Sequence, residues 1–239
     1  MIILWIVLCI VLTAAAAGLT AMICDWIRPV KGHTPYGPYE RWIKRGLDAF
    51  LATGALIVLS PVLLITAILV RVKLGSPVLF TQERPGRNGK IFRLYKFRTM
   101  LEPKDGVYHV ASDAERLTPF GKKLRSTSLD EFPELLNIIK GDMAVVGPRP
   151  LLVQYLERYN AHQARRHEVR PGFTGLAQVH GRNAISWEEK FDWDVRYVDH
   201  ITFLGDVKII LETVRTVLRR DGISGAESAT MSEFMGSRK

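Results

Sequence analysis

The sequence predicts a mostly helical α+β protein with a small β-hairpin, attached to a membrane through its N-terminal third. Three observations carry that expectation. Residues Ile2 to Cys24 form an apolar run without a charged side chain, long enough to cross a bilayer as a helix. A second apolar run, Gly46 to Val70, has Ser60-Pro61 near its centre. The remainder is polar and basic, with two strand-like segments around a turn-rich connection before helical periodicity takes over. The expected division is a transmembrane helix over 1–27, a basic linker over 28–43, a re-entrant membrane helix over 44–73, a cytoplasmic domain over 74–222 and a tail over 223–239.

The first run reads as an anchor, because no Lys or Arg precedes it as a cleaved signal peptide would require. Arg28, Lys31, Arg41, Lys44 and Arg45 follow it, so the positive-inside rule puts the N-terminus outside and the rest in the cytoplasm. The second run has basic residues at both ends, Lys44-Arg45 before it and Arg71 and Lys73 after it. Pro61 lacks an amide donor and clashes with the preceding turn, and a nearby Ser hydroxyl can satisfy the carbonyl it frees. The expected geometry is a helix that enters the membrane, breaks at Ser60-Pro61 and leaves by the same face, with both basic ends against cytoplasmic headgroups. An ordinary spanning helix with a proline kink is the alternative, and it would put the large basic domain outside.

In the polar part, Val78–Gln82 and Ile91–Phe97 read as strands of a hairpin joined through Pro85-Gly86-Arg87-Asn88-Gly89. Glu102 to Thr118 reads as a loop. A helix is expected from Asp130 to Lys140, closed by Gly141, then an apolar run over Met143–Val146, and a further helix over Leu151–Arg166. Asp206–Arg220 is amphipathic, with Gly222 as its cap. Its apolar face suits the core or a membrane interface equally.

Composition narrows the chemistry. Of 239 residues, 47% are hydrophobic, yet the formal charge is +9, so a basic domain is tied to apolar segments and should meet anionic partners. The two cysteines, Cys9 and Cys24, lie in the first run, so no zinc or disulfide framework can be built from them. The six histidines have no metal-binding spacing. No phosphate-binding loop or dinucleotide glycine pattern appears, which argues against ATP use and hydride transfer.

The informative stretch is 122–135, Lys-Lys-Leu-Arg-Ser-Thr-Ser-Leu-Asp-Glu-Phe-Pro-Glu-Leu. Pro133 belongs in a first helical turn, which makes Asp130 an expected N-cap and Glu131 a first-turn residue. Capping alone would account for both. A carboxylate held ionised at a helix terminus can also serve as a nucleophile, and adjacent carboxylates offer the hard oxygens that Mg²⁺ prefers when it is shared with a diphosphate. Lys96, Arg125, Arg149 and Arg182 are the cations such phosphate chemistry would need, although each alone could be a solvated surface group.

The ordered series of motifs resembles the bacterial sugar transferase family, the monotopic phosphoglycosyl transferases. It comprises Lys44-Arg45 before Ser60-Pro61, Phe80-Thr81-Gln82, Arg84-Pro85-Gly86, Tyr95-Lys96-Phe97-Arg98-Thr99-Met100, Leu124-Arg125, Ser128-Leu129-Asp130-Glu131, Lys140-Gly141-Asp142-Met143, Gly147-Pro148-Arg149-Pro150 and Arg170-Pro171-Gly172-Phe173-Thr174-Gly175. Ala177-Gln178-Val179, Gly181-Arg182-Asn183 and Ser186-Trp187-Glu188 are most similar to the small PglC-like members. The resemblance covers Arg41 to Phe234. It implies a catalytic domain at the cytoplasmic face of a bacterial inner membrane and a two-step transfer. Asp130 would attack the β-phosphorus of a UDP-sugar and release UMP, and undecaprenyl phosphate would then take the phosphosugar. The resemblance further implies a role for Glu131 in holding Mg²⁺, phosphate or nucleotide binding by Lys96, Arg125, Arg149 and Arg182, the helix break at Ser60-Pro61, and an N-acetylated amino sugar as donor. The chain departs from minimal members by about forty N-terminal residues, whose role the motifs leave open, as they do a homodimer.

Two other readings compete. A membrane-tethered basic module binding lipid phosphates or nucleic acid would explain the charge but not the carboxylate pair; the membrane segments argue against nucleic acid. A metal-assisted phosphatase or nuclease would need no lipid acceptor.

Overall fold

The computed structural model describes residues 2–27, 33–102, 116–181, 185–219 and 233–236. Helix α1 covers Ile2–Ile27. A π-helical turn at Tyr39–Ile43 leads into α2, Lys44–Leu74, which ends at Gly75 with φ 84°. Both helices are long and apolar enough to cross a membrane. They run antiparallel. Gly18 meets Gly46 so closely that a Cβ on Gly18 would lie 2.7 Å from the Gly46 carbonyl oxygen. Trp5 and Cys9 on α1 stand beside Ile57 and Val58 on α2, around an apolar groove of about 660 Å³.

Helical backbone runs on through Ser60-Pro61, which corrects the expected helix-break-helix form to one continuous helix whose axis can bend at Pro61. The reason is local. Proline removes the donor that would have served the Ile57 carbonyl four residues earlier, and the Ser60 hydroxyl donates to that same oxygen at 2.7 Å. If straight, 31 helical residues measure about 46 Å, and α2 touches the polar domain near both ends. Ala52 packs with Leu94, Leu135, Ile138 and Met143, flanked by Ala55 and Leu56. Val70 and Leu74 pack with Phe97 and Leu124, flanked by Leu63 and Ala67. The opposite side of α2, including Val58, Leu64, Ile65, Ile68 and Val72, is exposed.

The two basic residues at the root of α2 do not face outward, which corrects a second expectation. Lys44 Nζ lies 2.7 Å from Asp206 Oδ2, and Arg45 donates to the Ile138 and Ile139 carbonyls at 2.8 Å each. Buried charge needs partners, and the domain supplies them.

Strands β1, Leu79–Pro85, and β2, Ile91–Phe97, pair antiparallel with Phe80 opposite Lys96. The first strand runs later than Val78–Gln82, and Asn88 (φ 57°) and Gly89 (φ 72°) make the turn. Helix α3, Pro119–Ser126, is capped by Thr118, whose hydroxyl accepts from Gly121 N at 3.0 Å. Helix α4, Glu134–Lys140, ends at left-handed Gly141. The run after it becomes β3, Ala144–Val146, parallel to β4, Gly172–Thr174. Glycine is required here, since a Cβ on Gly172 would lie 2.1 Å from Gly147 N.

Leu151–Arg166 is not one helix. It forms a 3-10 stretch at Val153–Arg158, then α5, Ala161–Ala164, and a 3-10 turn at Arg165–His167. Asn160 restarts the helix with a capping box on Gln163, which is why the periodicity is interrupted. Helix α6 is Leu176–Val179 and α7 is Trp187–Asp199, opened by a Ser186/Glu189 capping box. Helix α8, Phe203–Arg219, starts earlier than expected. It packs Ile209 into a core with Val146, Val169, Tyr197, Val198 and Ile201, while Leu204, Leu211 and Val214 stay exposed. Most of the expected 102–118 loop, the Gly222 cap and most of the tail lie outside the described residues.

Candidate active site

The site is built on the chain between α3 and α4. Ser128 adopts a left-handed conformation (φ 56°) and throws the chain into a 3-10 turn, Leu129–Glu131. Pro133 occupies the N-cap of α4, so Asp130 does not cap that helix as expected. Its Oδ1 is buried and accepts no hydrogen bond. Burial, with the Glu131 charge beside it, pushes the Asp130 carboxyl up to about 6, against the pull of Lys96 and Arg125. The helix terminus therefore does not hold it ionised, and Lys96 and Arg125 oppose burial without overcoming it.

Glu131 behaves oppositely. Burial would raise it, but Arg149 and Lys96 overrule burial and hold its carboxyl below the ordinary range. Its Oε1 lies 2.6 Å from Lys96 Nζ and 2.5 Å from an Arg149 guanidinium nitrogen. β2 delivers Lys96, and the turn after β3 delivers Arg149. Arg125 stands at the end of α3 with its Nε donating to Thr99 Oγ1 at 3.0 Å. The turn, β2 and the Gly147–Pro150 segment thus bring Asp130, Glu131, Lys96 and Arg149 together, with Arg125 contributing charge at longer range. Arg182 lies outside the described residues. Lys44, Arg45, Ser60 and Pro61 sit in α2, where they fasten and shape the membrane helix.

Two residues were not singled out from the sequence. Glu134 has a buried Oε1 without a hydrogen bond, although Lys96 Nζ lies 3.2 Å away, and burial together with Glu131 pushes its carboxyl up. Its spacing of three from Glu131 was the available signal. Arg84 donates to Gln82 Oε1 at 2.6 Å, and its Nε is buried without a partner. Burial, with Arg149 nearby, lowers it to about 10. Its place in Arg84-Pro85-Gly86 was the signal. Arg84, Lys96, Glu134, Arg149, Pro150 and Leu151 line a cavity of about 90 Å³, room for roughly three waters.

Asp130 Oδ1 and Glu134 Oε1 are hard oxygens without hydrogen-bond partners, whereas Glu131 Oε1 is taken by two cations. Among the described residues, no group of three or more His, Cys, Asp or Glu could hold a metal alone. The residues fit a Mg²⁺ held by one or two carboxylates together with substrate phosphates, the usual binding mode of that ion.

A left-handed turn thus sets a buried carboxylate, one oxygen of it without a hydrogen bond, among cations on a domain packed against a long apolar helix, the kind of site where perturbed carboxylates do chemistry. The chain belongs to the bacterial sugar transferase family, which matches residues 39–220. The "Uncharacterized sugar transferase EpsL" of Bacillus subtilis (strain 168) is 51% identical over 195 residues, 82% of this chain and 96% of that protein. The "UDP-N-acetylgalactosamine-undecaprenyl-phosphate N-acetylgalactosaminephosphotransferase" of Aeromonas hydrophila is 37% identical over 189 residues, 76% of this chain and 45% of that one. The "UDP-glucose:undecaprenyl-phosphate glucose-1-phosphate transferase" of Escherichia coli (strain K12) is 37% identical over 191 residues, 76% of this chain and 41% of that one. The chain therefore spans nearly all of EpsL and less than half of the two longer enzymes. The family expected from the motifs is borne out, and with it the assignment as a transferase.

Proposed function

We propose that this enzyme transfers a sugar 1-phosphate from a UDP-sugar to undecaprenyl phosphate at the cytoplasmic face of a bacterial inner membrane. The observation that carries the reading is the buried Asp130 carboxylate with a free Oδ1 among Lys96, Arg125 and Arg149. Relatives named for the same donor and acceptor classes support it.

In the first step an Asp130 oxygen attacks the β-phosphorus, forming an acyl phosphate as the bond to UMP breaks and UMP leaves with those electrons. In the second, a phosphate oxygen of the lipid attacks the same phosphorus and Asp130 departs as a carboxylate. Arg149 and Lys96 offset charge on the phosphates in both steps, and Glu131 holds these two cations in place. Arg84 adds a further donor at the cavity. Asp130 would hold Mg²⁺ together with the donor phosphates, and the ion when bound would neutralise charge on the diphosphate.

Membrane re-entry of α2 is part of the proposal: a bend of the helix axis at Pro61, without loss of helix, would bring both ends to one face of the bilayer. A helix that packs on one domain near both its ends suits a segment whose ends share a face of the bilayer. The exposed apolar sides of α2 and α8 suit contact with lipid. Cysteines placed at Trp42 and Gly75 should both be labelled from the cytoplasmic side, and labelling from opposite sides would show a spanning helix.

The donor class to test first is an N-acetylated amino sugar. The full chain in nanodiscs with Mg²⁺ and undecaprenyl phosphate should form UMP from one or more of a panel of UDP-sugars. With donor alone, mass spectrometry should find a phosphosugar on Asp130. Asp130→Asn should lose turnover by about a thousandfold or more; full activity in that variant rules out the nucleophile. Release of free phosphate without lipid acceptor would instead mark a phosphatase.

A further inference from the structure

The last described segment, Glu233–Gly236, returns to the domain and closes an aromatic cage. Phe234, 2% exposed, stacks on Tyr159 with ring centroids 5.8 Å apart and meets Phe191 edge-on at 4.9 Å. Tyr155 and Trp187 complete the enclosure. Polar contacts fasten the segment on either side. Phe234 N donates to Tyr155 OH at 3.2 Å, Glu233 Oε1 accepts from Gln154 and Arg158, and Arg158 also donates to the Phe234 carbonyl at 2.5 Å.

Contacts continue inward from the cage. Tyr159 OH accepts from Arg166 at 3.4 Å, and the Arg166 guanidinium also packs on the Phe191 ring. Arg166 is buried, pairs with Asp194 on α7, and donates to the Arg149 carbonyl oxygen at 2.6 Å. The Arg149 side chain then reaches Glu131, next to Asp130. Four contacts therefore join Phe234 to the carboxylate beside the nucleophile.

We propose that Phe234 is a positioning residue for the transfer: seated in its cage, it fixes Tyr159 and Arg166 and so sets where Arg149 meets the donor phosphates. The part about donor phosphates rests on the proposed reaction; the mechanical link to the Arg149 backbone does not. Buried aromatic packing holds one arrangement where a polar surface loop would allow several.

The test uses the full chain in nanodiscs with Phe234→Ala and the volume-keeping Phe234→Leu, which remains informative if the alanine variant does not fold. Hydrogen exchange in the 144–152 segment should speed up about tenfold in Phe234→Ala and recover most of its protection in Phe234→Leu. The KM for the UDP-sugar should rise about tenfold with kcat within about twofold, and the added effect should shrink below about twofold in an Arg149→Lys background. Unchanged exchange at 144–152 in the folded variants overturns the proposal, as does an undiminished KM effect with Arg149→Lys. If the native chain forms no UMP, the proposed reaction falls while the exchange experiment still decides the positioning role.

Discussion

Two buried clusters of charge in this molecule invite comparison. At the root of α2, Asp206 accepts from Tyr39 and Lys44 on one oxygen and from Tyr197 on the other. Asp48 there accepts from Val145 N at 3.1 Å and faces Lys44 at 3.5 Å. Every carboxylate oxygen has a partner. In the candidate active site, Asp130 Oδ1 and Arg84 Nε have no partner, and Glu134 Oε1 has only the Lys96 ion pair at 3.2 Å. Both clusters sit at helix ends and combine similar residue types. A charge cluster that holds a fold fills its own valences, whereas one that awaits phosphates leaves some open.

The contrast can be broken by substitution. Lys44→Met strands two carboxylates in the satisfied cluster and should destabilise the protein by about 3–5 kcal/mol, read as a fall in melting temperature or loss of folded protein in detergent. A near-neutral Lys44→Met would mean that the root is no tighter than the site. Asp130→Asn should do the opposite. The folded carboxyl titrates near 6 against an ordinary 3.8, so it binds its proton more tightly folded than unfolded. Stability therefore falls as pH rises between those values and stays lower above them. The asparagine variant should gain up to about 3 kcal/mol at pH 7.5 and nothing below about pH 4. A gain independent of pH would remove the titrating carboxylate from the explanation.

Glu134→Gln should also stabilise near and above neutral pH, but by less, because Lys96 at 3.2 Å loses part of its counter-charge. The smallest effect belongs to the pair between Asp25 on α1 and Arg170, which is partly open to solvent. Asp25→Asn should cost about 1 kcal/mol or less, and thermal melting at high salt should narrow even that difference.

Much of this contrast was legible before any coordinates. Asp130, Glu131, Lys96 and Arg149 could be picked from sequence because they fall on turns or near element ends and inside the ordered motifs that resemble the family. The hairpin and α8 were readable for the same reason, through period and punctuation. Whether a charge is satisfied is a tertiary fact. Lys44 and Arg45 looked like headgroup contacts until Asp206, 162 positions after Lys44, and the α4 carbonyls came into view. Asp130 looked like a cap because Pro133 suits a first turn, and only left-handed Ser128 moves the helix start to Glu134. The α7 helix carries its capping box openly in the sequence at Ser186 and Glu189, whereas the Asn160 restart hides inside a periodic run.

The seating of α2 against the domain near both its ends bears on how the molecule answers to its bilayer. A lone helix relieves a mismatch in lipid thickness by tilting. Here α2 cannot tilt without carrying the whole domain, whereas α1 touches it chiefly beside α2 and through Asp25. Swapping short acyl chains for long ones should thus leave the height of the Asp130 carboxylate above the leaflet nearly constant.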